Sequence, residues 1–326
     1  STAGVVTLNS SFSAVEQYGL KLNDSNNSTL EVNNVIKVSL DNSSLTSTSD
    51  QIGYWVQDTS DTTLTLAEIK TRAKTLFNTL ESTDTTSITS STELYDREIL
   101  LGNDQTAHFF LVSDGDITSV NALEDLNLIQ VTTSDGTSAV LTSTTGGVSL
   151  TATQRSSDQG LDDLIGQYQG ISPILDLESV PTNIGTISAS VEIAREARID
   201  STMGFYKVLN SSGDVLDSVT GNIVSTSASN YSTVALSSSN LVTELAGLRA
   251  DDDTTSTSNV ASIDDYSILA PYATAGSETF FAFAEANSDG ITHIKTLGNN
   301  IFGLEDIKGG GDLDYDDLVV RFDFNV

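Results

Sequence analysis

The sequence predicts an all-β chain of two tandem β-sandwich modules, jelly-roll or Ig-like, with a minor helix in each. Three observations carry that expectation. Short apolar or alternating stretches recur between clusters of Ser, Thr, Asn, Asp and Gly. Hydrophobic residues make up 38% of the 326 positions, which suffices where only one face of each strand is buried. The second half of the chain echoes the first in the same order.

The first strand signals are Val5 to Leu8 and Tyr18 to Leu22, followed by an Asn/Ser turn cluster. Leu30 to Leu40 reads as two short strands, and Ile52 to Val56 carries the chain's one Trp. The period then changes. Leu66, Ile69, Ala73, Leu76, Phe77 and Leu80 fall on one helical face, and Thr65 and Glu68 have capping-box spacing. Lys70, Arg72 and Lys74 lie on the other side, as a solvated helix face or as a contact for an acidic neighbouring subunit. Strands resume at His108–Val112, Leu128–Val131 and Ser138–Leu141, and Leu161–Ile165 reads as one helical turn. Pro173 and Pro181 place a boundary in 151–184, between an N-terminal module at 1–150 and a C-terminal one at 185–326.

The echo runs as follows. Ile52-Gly-Tyr-Trp answers Met203-Gly-Phe-Tyr, and the helix at 66–80 answers a shorter one at Leu241–Leu248. His108-Phe-Phe-Leu answers Thr279-Phe-Phe-Ala, and Leu123-Glu-Asp-Leu answers Leu304-Glu-Asp-Ile. The first copy then runs Asn-Leu-Ile-Gln-Val-Thr-Thr, without a Gly-Gly-Gly-Asp run or alternating aspartates, so it reads as a degenerate repeat without a metal loop.

The formal charge is −31, from 45 acids against 14 bases. Such a field repels nucleic acid and anionic lipid, favours divalent cations, and makes assembly depend on them or on salt. The absence of cysteine excludes disulfides, Cys-zinc sites and thiol catalysis. No stretch approaches the roughly 20 apolar residues of a membrane span. The start, Ser1-Thr-Ala-Gly, lacks the basic and apolar regions of a signal peptide, which implies a removed leader or a C-terminal export signal. His108 and His293 stand apart from any metal or triad spacing, so the chain reads as not an enzyme.

The chemistry concentrates near the C-terminus. Gly309 to Gly311 permit a sharp turn, Asp312, Asp314 and Asp316 alternate, and Asp317 follows. Carboxylates this dense repel one another unless a cation sits among them, and an all-oxygen set suits Ca²⁺. Glu305 and Asp306 lie on the near side of the turn and can fold back onto the same ion. A further acidic turn brings Asn287 and Asp289 toward the loop, or is simply a hairpin turn. An EF-hand is excluded, because its sixth loop position needs Gly and here holds Asp317. Asp323 lies roughly 20 Å along the following strand and is no ligand. A solvated acidic turn is the alternative reading, and Asp251–Asp253 is read as solvated.

Phe302-Gly-Leu-Glu-Asp-Ile and Gly309-Gly-Gly-Asp-Leu-Asp-Tyr-Asp-Asp-Leu-Val-Val320 resemble the signature of the bacterial DUF4114 domain. The likeness takes in Ala194–Val208 and covers about residues 185–326. Asp316 stands where the family usually has Asn, and Ser201 where Asn is common. The resemblance implies calcium and an extracellular or bacterial cell-surface setting, with no assigned catalysis. Together these features lead us to expect a secreted calcium-binding structural subunit of a fibre, surface layer or matrix. The alternative is a calcium-dependent adhesion or glycan-binding module, with Tyr315 the aromatic best placed beside the loop. Self-association is expected through strand addition by Val5–Leu8, with no nucleic-acid partner and no membrane span.

Overall fold

The computed structural model describes residues 10–15, 17–24, 34–42, 50–78, 96–102, 104–133, 136–144, 147–154, 160–181, 185–263 and 266–325. The first half holds β1 (Ser10–Val15), β2 (Gly19–Asp24), β3 (Asn34–Asn42), β4 (Gln51–Asp58), α1 (Leu66–Arg72), β5 (Lys74–Asn78), β6 (Asp96–Leu101), β7 (Gln105–Val112), β8 (Asn127–Leu128), β9 (Gln130–Thr133), β10 (Ser138–Thr142) and β11 (Ser149–Gln154). After α2 (Leu161–Tyr168) come β12 (Leu175–Asp176), β13 (Ile187–Arg195), β14 (Ser201–Val208), β15 (Val215–Leu216), β16 (Ile223–Val224), α3 (Tyr231–Ala235), β17 (Leu241–Val242), β18 (Thr254–Ile263), β19 (Ile268–Ala275), β20 (Glu278–Phe281), β21 (Ile294–Gly298), β22 (Ile301–Leu304) and β23 (Leu318–Asn325). The fold is all-β, as the composition and alternation predict.

Two sheets face each other in each half. The first pair is ordered β1-β2-β7-β4-β5, with β8 on β7, and β6-β3-β11-β10-β9. Ile36, Val38, Ile52, Phe77, Phe109 and Leu150 fill the space between them. The second pair is ordered β12-β19-β14-β17, with β20 on β19, and β18-β13-β23-β22-β21. Its core centres on Phe205, whose ring meets Phe302 and Phe322 edge-on at 5.4 and 5.2 Å, a preferred aromatic geometry. The outer face of one sheet in each half is also covered. Around Trp55 and Phe110 pack Ile69 of α1 and Ile117. Around Tyr206 and Phe281 pack Tyr231 of α3 and the β15–β16 hairpin.

Strand for strand, β2 to β11 correspond to β12, β13, β14 and β17 to β23, and every pairing in the first set recurs in the second. The register of the echo differs from the sequence reading in two places. His108 lies in β7, whereas Thr279 lies in β20, the counterpart of β8. Leu123–Asp125 forms a 3-10 turn before β8, whereas Glu305 and Asp306 follow β22. The counterpart of the acidic loop is therefore the β10–β11 connection, Ser143 to Val148. Phe-Phe and Glu-Asp pairs are too short to fix a register among Ser/Thr-rich strands.

The helices also depart from expectation. Thr65 caps α1 with both capping-box hydrogen bonds to Glu68, but the helix ends at Arg72. Residues 74–78 are strand β5, paired with β4 from Gln51↔Asn78 to Tyr54↔Lys74. A short apolar run fits either period, and pairing with a neighbour decides it. Arg72 pairs with Asp61, and Lys70 donates to the Thr118 carbonyl at 2.9 Å. Lys74 donates to the Gln167 carbonyl. It belongs to no solvated helix face; burial pulls its amine down to about 8. The expected helix at 241–248 is instead β17, paired with β14, then a 3-10 turn, with Gly247 at φ +70°. The segment 151–184, drawn as a boundary, contributes α2 and pairs β12 with β19. Val5–Leu8, Leu80 and Asp264–Asp265 lie outside the described residues.

The two sandwiches meet along β5 and β21, with α2 beside β6 and β23. The Asn299 amide clasps Glu98, accepting from its N–H at 3.2 Å and donating to its carbonyl at 2.8 Å. Arg97 donates to the Leu297 carbonyl at 3.2 and 3.0 Å while lying over the Phe77 ring. Gly298 has φ +96°, and a Cβ there would come within 2.3 Å of the Leu76 carbonyl oxygen. That close approach requires glycine.

Candidate metal centre

The acidic loop spans residues 305–317, between strands that are hydrogen-bonded neighbours, with Leu304 opposite Leu318. Its path is left-handed at Gly309, Gly310 and Gly311, and again at Leu313 (φ 64°) and Tyr315 (φ 61°). Side-chain-bearing residues adopt that region rarely and at a cost. Tyr315 is held there by its surroundings. It is 2% exposed, its hydroxyl donates to the Thr292 carbonyl at 2.9 Å, and Lys295 Nζ sits 4.3 Å above its ring. Buried in this way, Tyr315 offers no exposed face for stacking.

Glu305 is the centre of the loop and is fully buried. One carboxyl oxygen accepts from Ile307 N–H at 3.1 Å and the other from Leu313 N–H at 2.9 Å. Gly311 makes room for it, since a Cβ there would come within 2.3 Å of Glu305 Oε1. Oxygens of Glu305, Asp312 and Asp314 lie within 4.8 Å of one another, as do those of Glu305, Asp306 and Asp317. The two triads share Glu305.

Asp306 is 3% exposed. Its carboxylate accepts from Ser201 Oγ at 2.8 Å, and its N–H donates to Asp317 Oδ2 at 2.7 Å. Burial raises the Asp306 and Glu305 carboxyls, and neighbouring Asp312 and Asp314 raise Glu305 further. Asp316 is pushed up to about 8 by burial and by Asp314. Asp317 is pushed up to about 8 by burial and by the charges of Asp306, Glu305 and Asp314. Without a cation, Asp316 thus gives up its proton less readily than an ordinary carboxyl.

Of the eight residues singled out by sequence, six share this loop. Asp312 is exposed, and Asp314, Asp316 and Asp317 are half-buried. Asn287 is committed elsewhere. It accepts from Phe281 N–H and donates to the Phe281 and Ile291 carbonyls, locking the hairpin turn. Asp289 reaches the glycine turn and not the carboxylates, accepting from Gly309 N–H and His293 Nε2, both at 2.9 Å. Burial opposes its charge, but those bonds and one from Ile291 N–H outweigh it and hold Asp289 down to about 2. Asp323 is exposed on β23. Asp252 accepts from Ala197 N–H at 3.0 Å, so the Asp251–Asp253 run is partly engaged.

Three supporting residues escaped the sequence reading. His293 is fully buried, stacked on Phe280 at 3.8 Å, and its other ring nitrogen meets the Glu305 carbonyl at 2.8 Å. It pins the Asp289 turn to the start of the loop. Ser201 fixes Asp306, and Arg195 bonds the Ala250 and Ala197 carbonyls and lowers Asp306. The last two lie in Ala194–Val208, the stretch already singled out by resemblance. The donor set fits a hard divalent cation. It is all oxygen, partly buried, and its central carboxylate is met by backbone N–H groups in place of a Lys or Arg. No curated protein and no solved structure matches the chain. Residues 247–325, which carry β18 to β23 and the whole acidic loop, match the family described as Domain of unknown function (DUF4114).

Proposed function

We propose that the 305–317 loop binds Ca²⁺ and that the chain is a secreted structural subunit of an extracellular fibre, surface layer or matrix, with no catalytic role. The observation that carries this reading is Glu305, a fully buried carboxylate at the meeting point of two acidic triads. Such a site favours the folded state when a cation offsets the repulsion, and so stabilises by mass action. Asp312 and Asp314 complete the set on the open side of Glu305, with Asp306 and Asp317 on the other. The ion would supply charge neutralisation and would fasten the β22–β23 connection. Carboxylate-rich sites in extracellular modules suit the ~10⁻⁴–10⁻³ M calcium range, in keeping with a bacterial cell-surface location. Self-association by strand addition from Val5–Leu8 remains part of this reading.

The adhesion alternative is favoured by one feature. The β15–β16 hairpin, which has no counterpart among the described residues of the first sandwich, exposes Val219 (91%) and Ile223 (66%), and Asp217 locks its turn through Val219 N–H and Thr220. Glycan binding gains nothing from Tyr315, which is buried.

Melting of the full chain in excess chelator and in millimolar calcium tests the metal reading. The expected result is a calcium-dependent rise in one transition that Asp314→Ala largely removes. An identical melt under both conditions sinks it.

A further inference from the structure

Among the described residues the sheets end in several long strands, and all of those edges but β18 lie against another segment of the chain. Beyond β9 runs the β1 segment, with Phe12 N–H donating to the Gly136 carbonyl at 2.7 Å and Val131 N–H to the Gln17 carbonyl at 2.8 Å. β21 lies against β5 at the junction, where Asn78 donates to the Thr296 carbonyl. β6 carries Asp96, Arg97 and Glu98, has α2 beside it, and is clasped by Asn299. Its counterpart in the second sandwich is β18, at 10 residues the longest strand among the described residues, Thr-Thr-Ser-Thr-Ser-Asn-Val-Ala-Ser-Ile. β18 ends its sheet. It holds no charged residue and no proline, the usual devices that blunt an edge.

We propose that β18 is a self-pairing surface, through which two copies of this chain join antiparallel about a two-fold axis and merge two five-stranded sheets into one. The proposal rests on the self-association part of the reading above and names a surface for it. Among the described residues no strand pairs beyond β18, and a strand edge of this kind presents main-chain donors and acceptors that fit an extended strand. The occupant is a second copy because the ten residues of β18 carry no charge, so two such edges meet without a carboxylate inside the ladder although each chain carries −31.

The burial pattern sets the register. Thr255, Thr257, Asn259 and Ala261 are exposed, while Ser256, Ser258, Val260 and Ser262 are half-buried or buried. Core-facing residues stay on the core side only if residues of like parity oppose one another. Centring the pair on Ser258 sets Thr257 opposite Asn259 and Ser256 opposite Val260, and its overlap is as long as any register of like parity allows. Small polar pairs across strands are favourable. The acids Asp251 to Asp253 of one copy then meet the sequence positions of Asp264 and Asp265 of the other at each end of the seam, so the pair strengthens as salt screens them.

Because the chain lacks cysteine, Ser258→Cys reports on the seam without background. Under mild oxidation at about 0.3 M salt, where screening is short-ranged, the expected product is a disulfide-linked dimer. Val219→Cys, on the exposed hairpin, should stay monomeric. Sedimentation should show a wild-type dimer, and Thr257→Glu should weaken it at least about tenfold while leaving the melt unchanged. Ser258→Cys cross-linking no faster than Val219→Cys, or Thr257→Glu dimerising like the wild type, overturns the proposal. So do assemblies that ignore Thr257→Glu and vanish when residues 1–9 are removed, an outcome that leaves strand addition standing. A calcium-insensitive melt sinks the metal reading without touching this seam.

Discussion

The same connection is made twice in this chain, with opposite chemistry. Between β10 and β11 the chain crosses in Ser143-Thr-Thr-Gly-Gly-Val148, without a carboxylate, closed by Ser143 N–H donating to the Val148 carbonyl at 3.0 Å. Between β22 and β23 it takes residues 305–317, with six acids, one of them fully buried. The strands on either side pair alike in both sandwiches. The comparison teaches that the sandwich does not need the acidic loop in order to close. Glu305, the left-handed Leu313 and Tyr315, and the crowded aspartates are a cost to folding that the first copy avoids, and the proposed ion would offset it.

The sharpest way to break this comparison is to replace residues 305–317 with the 143–148 sequence. The expected outcome is a folded chain whose melting no longer responds to calcium. The loss should be about 3–4 kcal/mol of stabilisation where the ion stood at 100 to 1,000 times its Kd. A transplanted chain that fails to fold, by circular dichroism, shows that the loop is structural after all.

A smaller effect is expected for Gly311→Ala. The added Cβ strikes Glu305 Oε1 and imposes a side chain at φ +39°. A cost of about 1–3 kcal/mol in chemical denaturation is expected, together with weaker calcium binding. The same change at Gly147, left-handed in the short loop, should cost stability without altering any calcium response.

The smallest expected effect is on pH dependence. Asp316 and Asp317 hold protons up to about 8 in the folded chain, whereas unfolded carboxyls lose them near 4. Between those values the folded state binds more protons than the unfolded one, so without metal stability falls as pH rises. Calcium should flatten or reverse that slope, because it binds the charged form. A metal-free melt that climbs from pH 5 to 8 contradicts the buried-acid geometry.

Much of this was legible in the residues. Alternation located β2, β3, β4, β7, β9 and β10, Thr65 and Glu68 announced the start of α1, and the glycine run with its aspartates marked the loop. What was hidden depends on pairing. Nothing local ends α1 at Arg72; the β5 ladder on β4 does. Nothing local binds Ser201 and His293 to residues more than ten positions away; the sheet that carries β14 faces the one that carries the loop. The repeat was visible, but its register was not, because strand order and not shared dipeptides defines the equivalence.

β23 lies between β13 and β22 and runs antiparallel to both. A pull along this strand toward Asn325 loads two ladders at once and in parallel with their length, so their hydrogen bonds must yield together and cannot peel one after another. The loop is attached at the strand's other end, beside Leu318. An ion there would act as an anchor behind a sheared strand, placing the chain's greatest mechanical resistance in its C-terminal sandwich.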